Sequence, residues 1–93
     1  MITGTVTVEI YLGDVFSLKE KRQIVRSAID RVRHRFNVSV AEVDEQDDHR
    51  WAVIGMACVA NTTDHVNRQL DCILDFLEQD GRFSVEGIHK EIL

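Results

Sequence analysis

VSVAEVDEQDDHRWAVIGMACVA, residues 38–60, divides into three parts whose order decides the fold. Residues 38–43 are rich in β-branched side chains and read as a strand. The apolar phase shifts between Val40 and Ala41, the mark of a bulge. Residues 44–49, DEQDDH, are wholly polar and of a length that joins antiparallel neighbours. Residues 50–60 are apolar on both faces, as a strand inside a sheet must be.

On the N-terminal side, residues 17–36 read as a helix. Ser17-x-x-Glu20 forms a capping box, in which the hydroxyl accepts from an orphan N–H and the carboxylate reaches back. Leu18, Val25, Ile29, Val32 and Phe36 then gather on one helical face, and Asn37 stops the run. Residues 2–11 alternate, with Ile2, Gly4, Val6, Val8 and Ile10 on one side of a strand. LGDVF, residues 12–16, connects the two elements.

On the C-terminal side, NTTD (61–64) offers N-caps for a second helix. Val66, Leu70, Ile73, Leu74 and Leu77 form its buried face, and Gly81 ends it. RFSVEGIHKEIL (82–93) is a last strand with a phase change near Gly87.

The order βαββαβ defines an α+β, ferredoxin-like domain over residues 1–93. Right-handed crossovers place both helices on one face of a four-stranded antiparallel sheet, with strands 1 and 3 central. The other sheet face stays open.

Composition narrows the function classes. With 44% apolar and 29% charged residues the chain is an ordinary globular one. No apolar run is long enough to cross a membrane, and the alternating N-terminus is a strand rather than a signal peptide, so a cytoplasmic protein is expected. Cys58 and Cys72 sit among apolar residues and are both expected to be buried thiols. His34, His49, His65 and His89 are scattered and no Cys-x-x-Cys exists, so no metal and no cofactor are expected. The acidic hairpin lacks the spacing and glycine of a calcium loop.

The net charge of −5 conceals an asymmetry. Residues 17–36 hold seven basic and two acidic side chains, and the rest of the chain holds four basic and fourteen acidic. Lys19, Arg22, Arg26 and Arg33 form one stripe, while Lys21, Arg31 and Arg35 lie on the opposite flank. Like charges at i,i+3 and i,i+4, and cations in the first turn, each cost the helix a few tenths of a kcal/mol or more. Two explanations compete: a face that binds a polyanion, or pairing with acids such as Asp44, Glu45, Asp47 and Asp48. A narrower form places one phosphate at the helix N-terminus, beside Lys19, Lys21 and Arg22. Ser17 and Glu20 count against it, since they already use some of the donors there.

Other chemistries are poorly served. Tyr11 ends strand 1 and Trp51 begins strand 3, which is not the aromatic pattern of an RNA-recognition sheet. Ile54, Met56, Val53 and Val59 are candidates for an apolar open face that pairs with a second copy. No nucleophile has a nearby base. An acylphosphatase would need an Arg in a Gly-rich turn after strand 1, where this chain has YLGDVFS, and only Asn61 matches such a site.

SLKEKR (17–22), RFNVSVAEV (35–43) and IGMACV (54–59), in this order and spacing, resemble the bacterial YlxP-like family over essentially the whole chain. The resemblance implies a ferredoxin-like fold and no known activity. Its genes commonly lie among those for transcription elongation, translation initiation and 30S maturation. By position it implicates Ser17, Leu18, Lys19, Glu20, Lys21, Arg22, Asn37 and Glu42. LGDVF departs from a turn that often contains Pro.

The expectation is therefore a non-catalytic accessory protein that binds structured RNA or the small ribosomal subunit through Lys19, Lys21, Arg22, Arg26 and Arg33, without DNA sequence specificity. The alternatives are a protein-interaction module that dimerises or docks a partner through the open sheet face, and a regulatory small-molecule domain.

Overall fold

The computed structural model describes residues 1–93. Six elements follow in the order β1 (Ile2–Tyr11), α1 (Leu18–Arg35), β2 (Ser39–Asp44), β3 (Trp51–Ala60), α2 (Thr63–Glu78) and β4 (Ser84–Ile92). The sheet order is β2-β3-β1-β4, every pairing is antiparallel, and the fold is ferredoxin-like α+β.

Alternation in β1 works as its residue types require. Val6, Val8 and Ile10 are buried, and Thr3, Thr5, Thr7 and Glu9, in the opposite phase, face the open side. Gly4 lies where α2 meets the strand: a Cβ there would stand 2.2 Å from Val66 Cγ1 and 3.2 Å from Leu70 Cδ1. Ala52, Ile54, Met56 and Cys58 of β3 join this core from the neighbouring strand. From the helices come Val25, Ala28 and Val32, and Val66, Leu70, Ile73, Leu74 and Leu77. Ile73 and Leu70 are fully enclosed, each contributing about 1.5–3 kcal/mol by transfer from water.

Caps set both helices. Ser17 Oγ accepts from the Glu20 N–H at 3.2 Å, and Thr62 Oγ1 accepts from the His65 N–H at 3.2 Å. Gly81 turns the chain at φ +86° between α2 and β4, a conformation that favours glycine.

The bulge of β2 lies later than its apolar phase suggests. Register breaks between Glu42 and Asp44, not between Val40 and Ala41. Glu42 continues the inward alternation as a half-buried carboxylate, because a buried cation draws it in. Val43 is carried onto the open face and lies over Gly55. In β4 the register shift opposite Glu9 and Ile10 leaves Glu86 as the extra residue, next to Gly87 as expected.

Two other expectations are corrected. Cys72 is exposed: it points about 100° away from Ile73 around α2, off the packed face. Cys58 is buried, and desolvation pushes its thiol pKa up. Ile54 and Met56 face the helices, not solvent, since β3 pairs Val8 with Ile54 and Val6 with Met56 in register.

Candidate nucleic-acid interface

The seven cations of α1 divide by what they touch. Lys21 has no exposed surface. Its ammonium donates to the carbonyl of Glu45 and, at 2.6 Å, to that of Asp48, and it lies 3.1 Å from Glu42 Oε2. Two of the lysine's three N–H groups are thus turned onto carbonyls of the β2–β3 hairpin. Glu42 Oε2 is held by the charge of Lys21 rather than by a well-aligned hydrogen bond. Lys21 therefore leaves the set of residues available to a polyanion: its role is to fasten the hairpin to α1. Glu45, whose carbonyl it binds, sits in the left-handed region at φ 59°.

Arg31 and Arg33 are partly committed. Arg31 Nη1 donates to Asp80 Oδ2 at 3.3 Å, and its guanidinium lies 5.5 Å from the Phe76 ring centre. Arg33 Nη2 donates to the Val40 carbonyl at 3.1 Å, with Nη1 3.7 Å from Asp30. More than half of the Arg33 side chain remains exposed. Arg35 faces the rings of Phe76 at 5.2 Å and Phe36 at 6.0 Å and has no carboxylate partner.

Lys19, Arg22 and Arg26 are exposed and make neither an ion pair nor a side-chain hydrogen bond within the chain. With Arg33 they span about 21 Å along the helix at 1.5 Å per residue. Arg22, Arg26 and Arg33 border an open groove of about 320 Å³ between α1 and β2, floored by Val25 and Ile29. The acidic hairpin accounts for Lys21 alone among the cations suggested as its partners, and it does so mainly through backbone oxygens.

A second basic cleft lies on the other flank of α1 and was not legible as a site in the sequence. Arg35, His65 and Arg68, with Phe36, Gln69 and Cys72, line about 320 Å³ between the end of α1 and the start of α2. Gln69 Nε2 donates to the Asn37 carbonyl at 3.2 Å and closes its floor. Arg68 and His65 stand 33 and 30 residues from Arg35, so only the packing of two helices brings them together.

The open sheet face has a different character. Thr3, Thr5 and Thr7 pair with Val59, Ala57 and Gly55, a surface of small side chains. At one end Tyr11 and Trp51 are register partners with ring centres 4.9 Å apart. Glu9, Asp44 and Glu45 surround that corner. Carboxylates beside the only aromatics of this face oppose the stacking of nucleotides there.

The molecule is thus a ferredoxin-like domain with cations on both flanks of its first helix and carboxylates at its hairpin. The chain belongs to the family described as Protein of unknown function (DUF503), whose model matches residues 3–90. It is 32% identical over 75 residues to the uncharacterized protein YlxP of Bacillus subtilis (strain 168), covering 81% of this chain and 82% of that protein. No helix is long and apolar enough to cross a membrane, and no group of three or more His, Cys, Asp or Glu is placed to hold a metal ion.

Proposed function

We propose that this chain is a non-catalytic accessory protein that binds structured RNA through the exposed stripe of α1. The observation that carries the reading is that Lys19, Arg22 and Arg26 are exposed and have no ion-pair or side-chain hydrogen-bond partner within the chain. They stand as like-charged neighbours, two of them near the positive end of the helix dipole, where stability alone favours acids. The cleft of Arg35, His65 and Arg68 supports a partner wider than a single strand, because it lies on the opposite flank of the same helix. The small ribosomal subunit is the setting that the family resemblance implies.

Contacts of this kind go to phosphates, so affinity should fall with salt and depend little on sequence. Engagement of three to four cations gives a slope of log K on log salt of about −3. Filter binding to fragments of small-subunit RNA over a salt series measures it. A Lys19→Glu, Arg22→Glu, Arg26→Glu variant with unchanged circular dichroism should lose binding at every salt concentration. A flat salt response, or full binding by that variant, overturns the reading.

A further inference from the structure

The cleft between the end of α1 and the start of α2 differs in charge from the grooves beside it. Arg35, His65 and Arg68 line it together with Phe36, Gln69 and Cys72, and no carboxylate does. The groove of Arg22, Arg26 and Arg33 holds Asp30 and Glu42 in its wall, and the one beside Arg31 and His34 holds Asp30. In a chain with sixteen acidic and eleven basic residues, a cleft whose charged groups are all cations focuses a positive field.

Neither arginine spends its donors within the chain. Arg35 lies over the rings of Phe76 and Phe36, which position the guanidinium without using an N–H group. Arg68 is within helical reach of Asp64, four residues before it, and Asp71, three residues after, and pairs with neither. Asp71 is taken by Lys90 at 2.9 Å. Gln69 gives Nε2 to the Asn37 carbonyl, which leaves its own Oε1 as an acceptor on the floor of the cleft. Guanidinium forks with unspent donors match the oxygens of a phosphate. A phosphate monoester carries close to two negative charges and suits two arginines better than the single charge of a backbone diester. The half-buried Phe36 ring supplies an apolar wall beside them, and about 320 Å³ leaves room beyond the phosphate for a ring system.

We propose that this cleft binds a nucleoside monophosphate group, with Arg35 and Arg68 on the phosphate and Phe36 against the nucleoside. A free mononucleotide and the phosphorylated end of an RNA strand present the same group. The site uses no contact from Lys19, Arg22 or Arg26, so it goes beyond RNA binding by the stripe and stands or falls apart from it.

Titration of the isotope-labelled full chain with AMP, followed through amide chemical shifts, should move residues 35–37 and 65–72. Binding should saturate with a dissociation constant of about 1 mM or below. Adenosine and inorganic phosphate should each bind roughly tenfold more weakly or worse. Arg35→Gln and Arg68→Gln, both at exposed positions, should each weaken AMP about tenfold with circular dichroism unchanged. The Lys19→Glu, Arg22→Glu, Arg26→Glu variant should bind AMP as the parent does, which separates this site from RNA binding by the stripe. An RNA oligonucleotide offered with and without its end phosphate distinguishes the two sources. A gain from that phosphate that Arg35→Gln abolishes supports the RNA end, and AMP binding without such a gain supports the free nucleotide. No saturable shift with AMP overturns the proposal. Equal binding of adenosine or inorganic phosphate does so too, as does AMP binding that both cleft variants leave intact.

Discussion

Lys21 shows how one residue can carry the geometry of a loop. Its ammonium replaces the water that two hairpin carbonyls would otherwise need, and it holds Glu42 inside the edge of the sheet. Removing one partner from such an arrangement leaves the others buried without compensation. Lys21→Met should therefore lower unfolding free energy by about 3–5 kcal/mol, measured by urea titration, although methionine fills much of the same space. A signal for this role was present in the sequence: Lys21 precedes Val25 by four, Ala28 by seven and Val32 by eleven, the spacing of a packed helical row. It was hidden by six other cations on the same helix. The acceptors that make burial tolerable lie 24 and 27 residues away, which local spacing does not report. Cys72 is the opposite case, an apolar-looking residue that helical phase turns outward.

Between elements, the turn joining α2 to β4 is tied to α1 through Asp80. Its carboxylate accepts from Arg82 Nε at 2.6 Å, Arg82 Nη2 at 2.7 Å and Arg31 Nη1 at 3.3 Å, while Arg82 Nη1 donates to Ser27 Oγ at 3.0 Å. Hydrogen bonding from Arg82 holds the Asp80 pKa below the usual carboxylate value, against the opposing effect of burial. A carboxylate depressed in the folded state stabilises fully above its unfolded value near ~3.9 and loses that contribution as pH falls toward the folded one. Asp80→Asn should thus cost about 1.5–3 kcal/mol at neutral pH. Arg82 remains 35% exposed, which favours the lower end. The difference from the parent protein should close progressively below pH ~3.9, as chemical denaturation across a pH series would show. Element types and order were legible because alternation, capping and glycine placement agree with one another. The position of the β2 bulge was not, because a buried acid reads as a surface residue until its partner is known.

For the molecule as a whole, the charge asymmetry was visible from counting, and its meaning was not. Pairing decides which cations are spent on the fold, and pairing depends on how strands 2 and 3 and helix 2 close around α1. The stripe of Lys19, Arg22 and Arg26 was legible from helical phase, whereas the cleft with Arg68 and His65 required the packing of both helices. The acidic hairpin is brought to α1 by Lys21, so a polyanion on the stripe meets repulsion on the hairpin side and attraction along the helix. Register has one more effect. Trp51 and Tyr11 are the sole indole and the sole phenol of the chain, and strand pairing holds them at 4.9 Å. An excited phenol at that distance passes its energy to the indole, so native protein should emit as tryptophan alone. Tyrosine emission should appear only when β1 and β3 separate, giving the unmodified protein an optical gauge of its central strand pair.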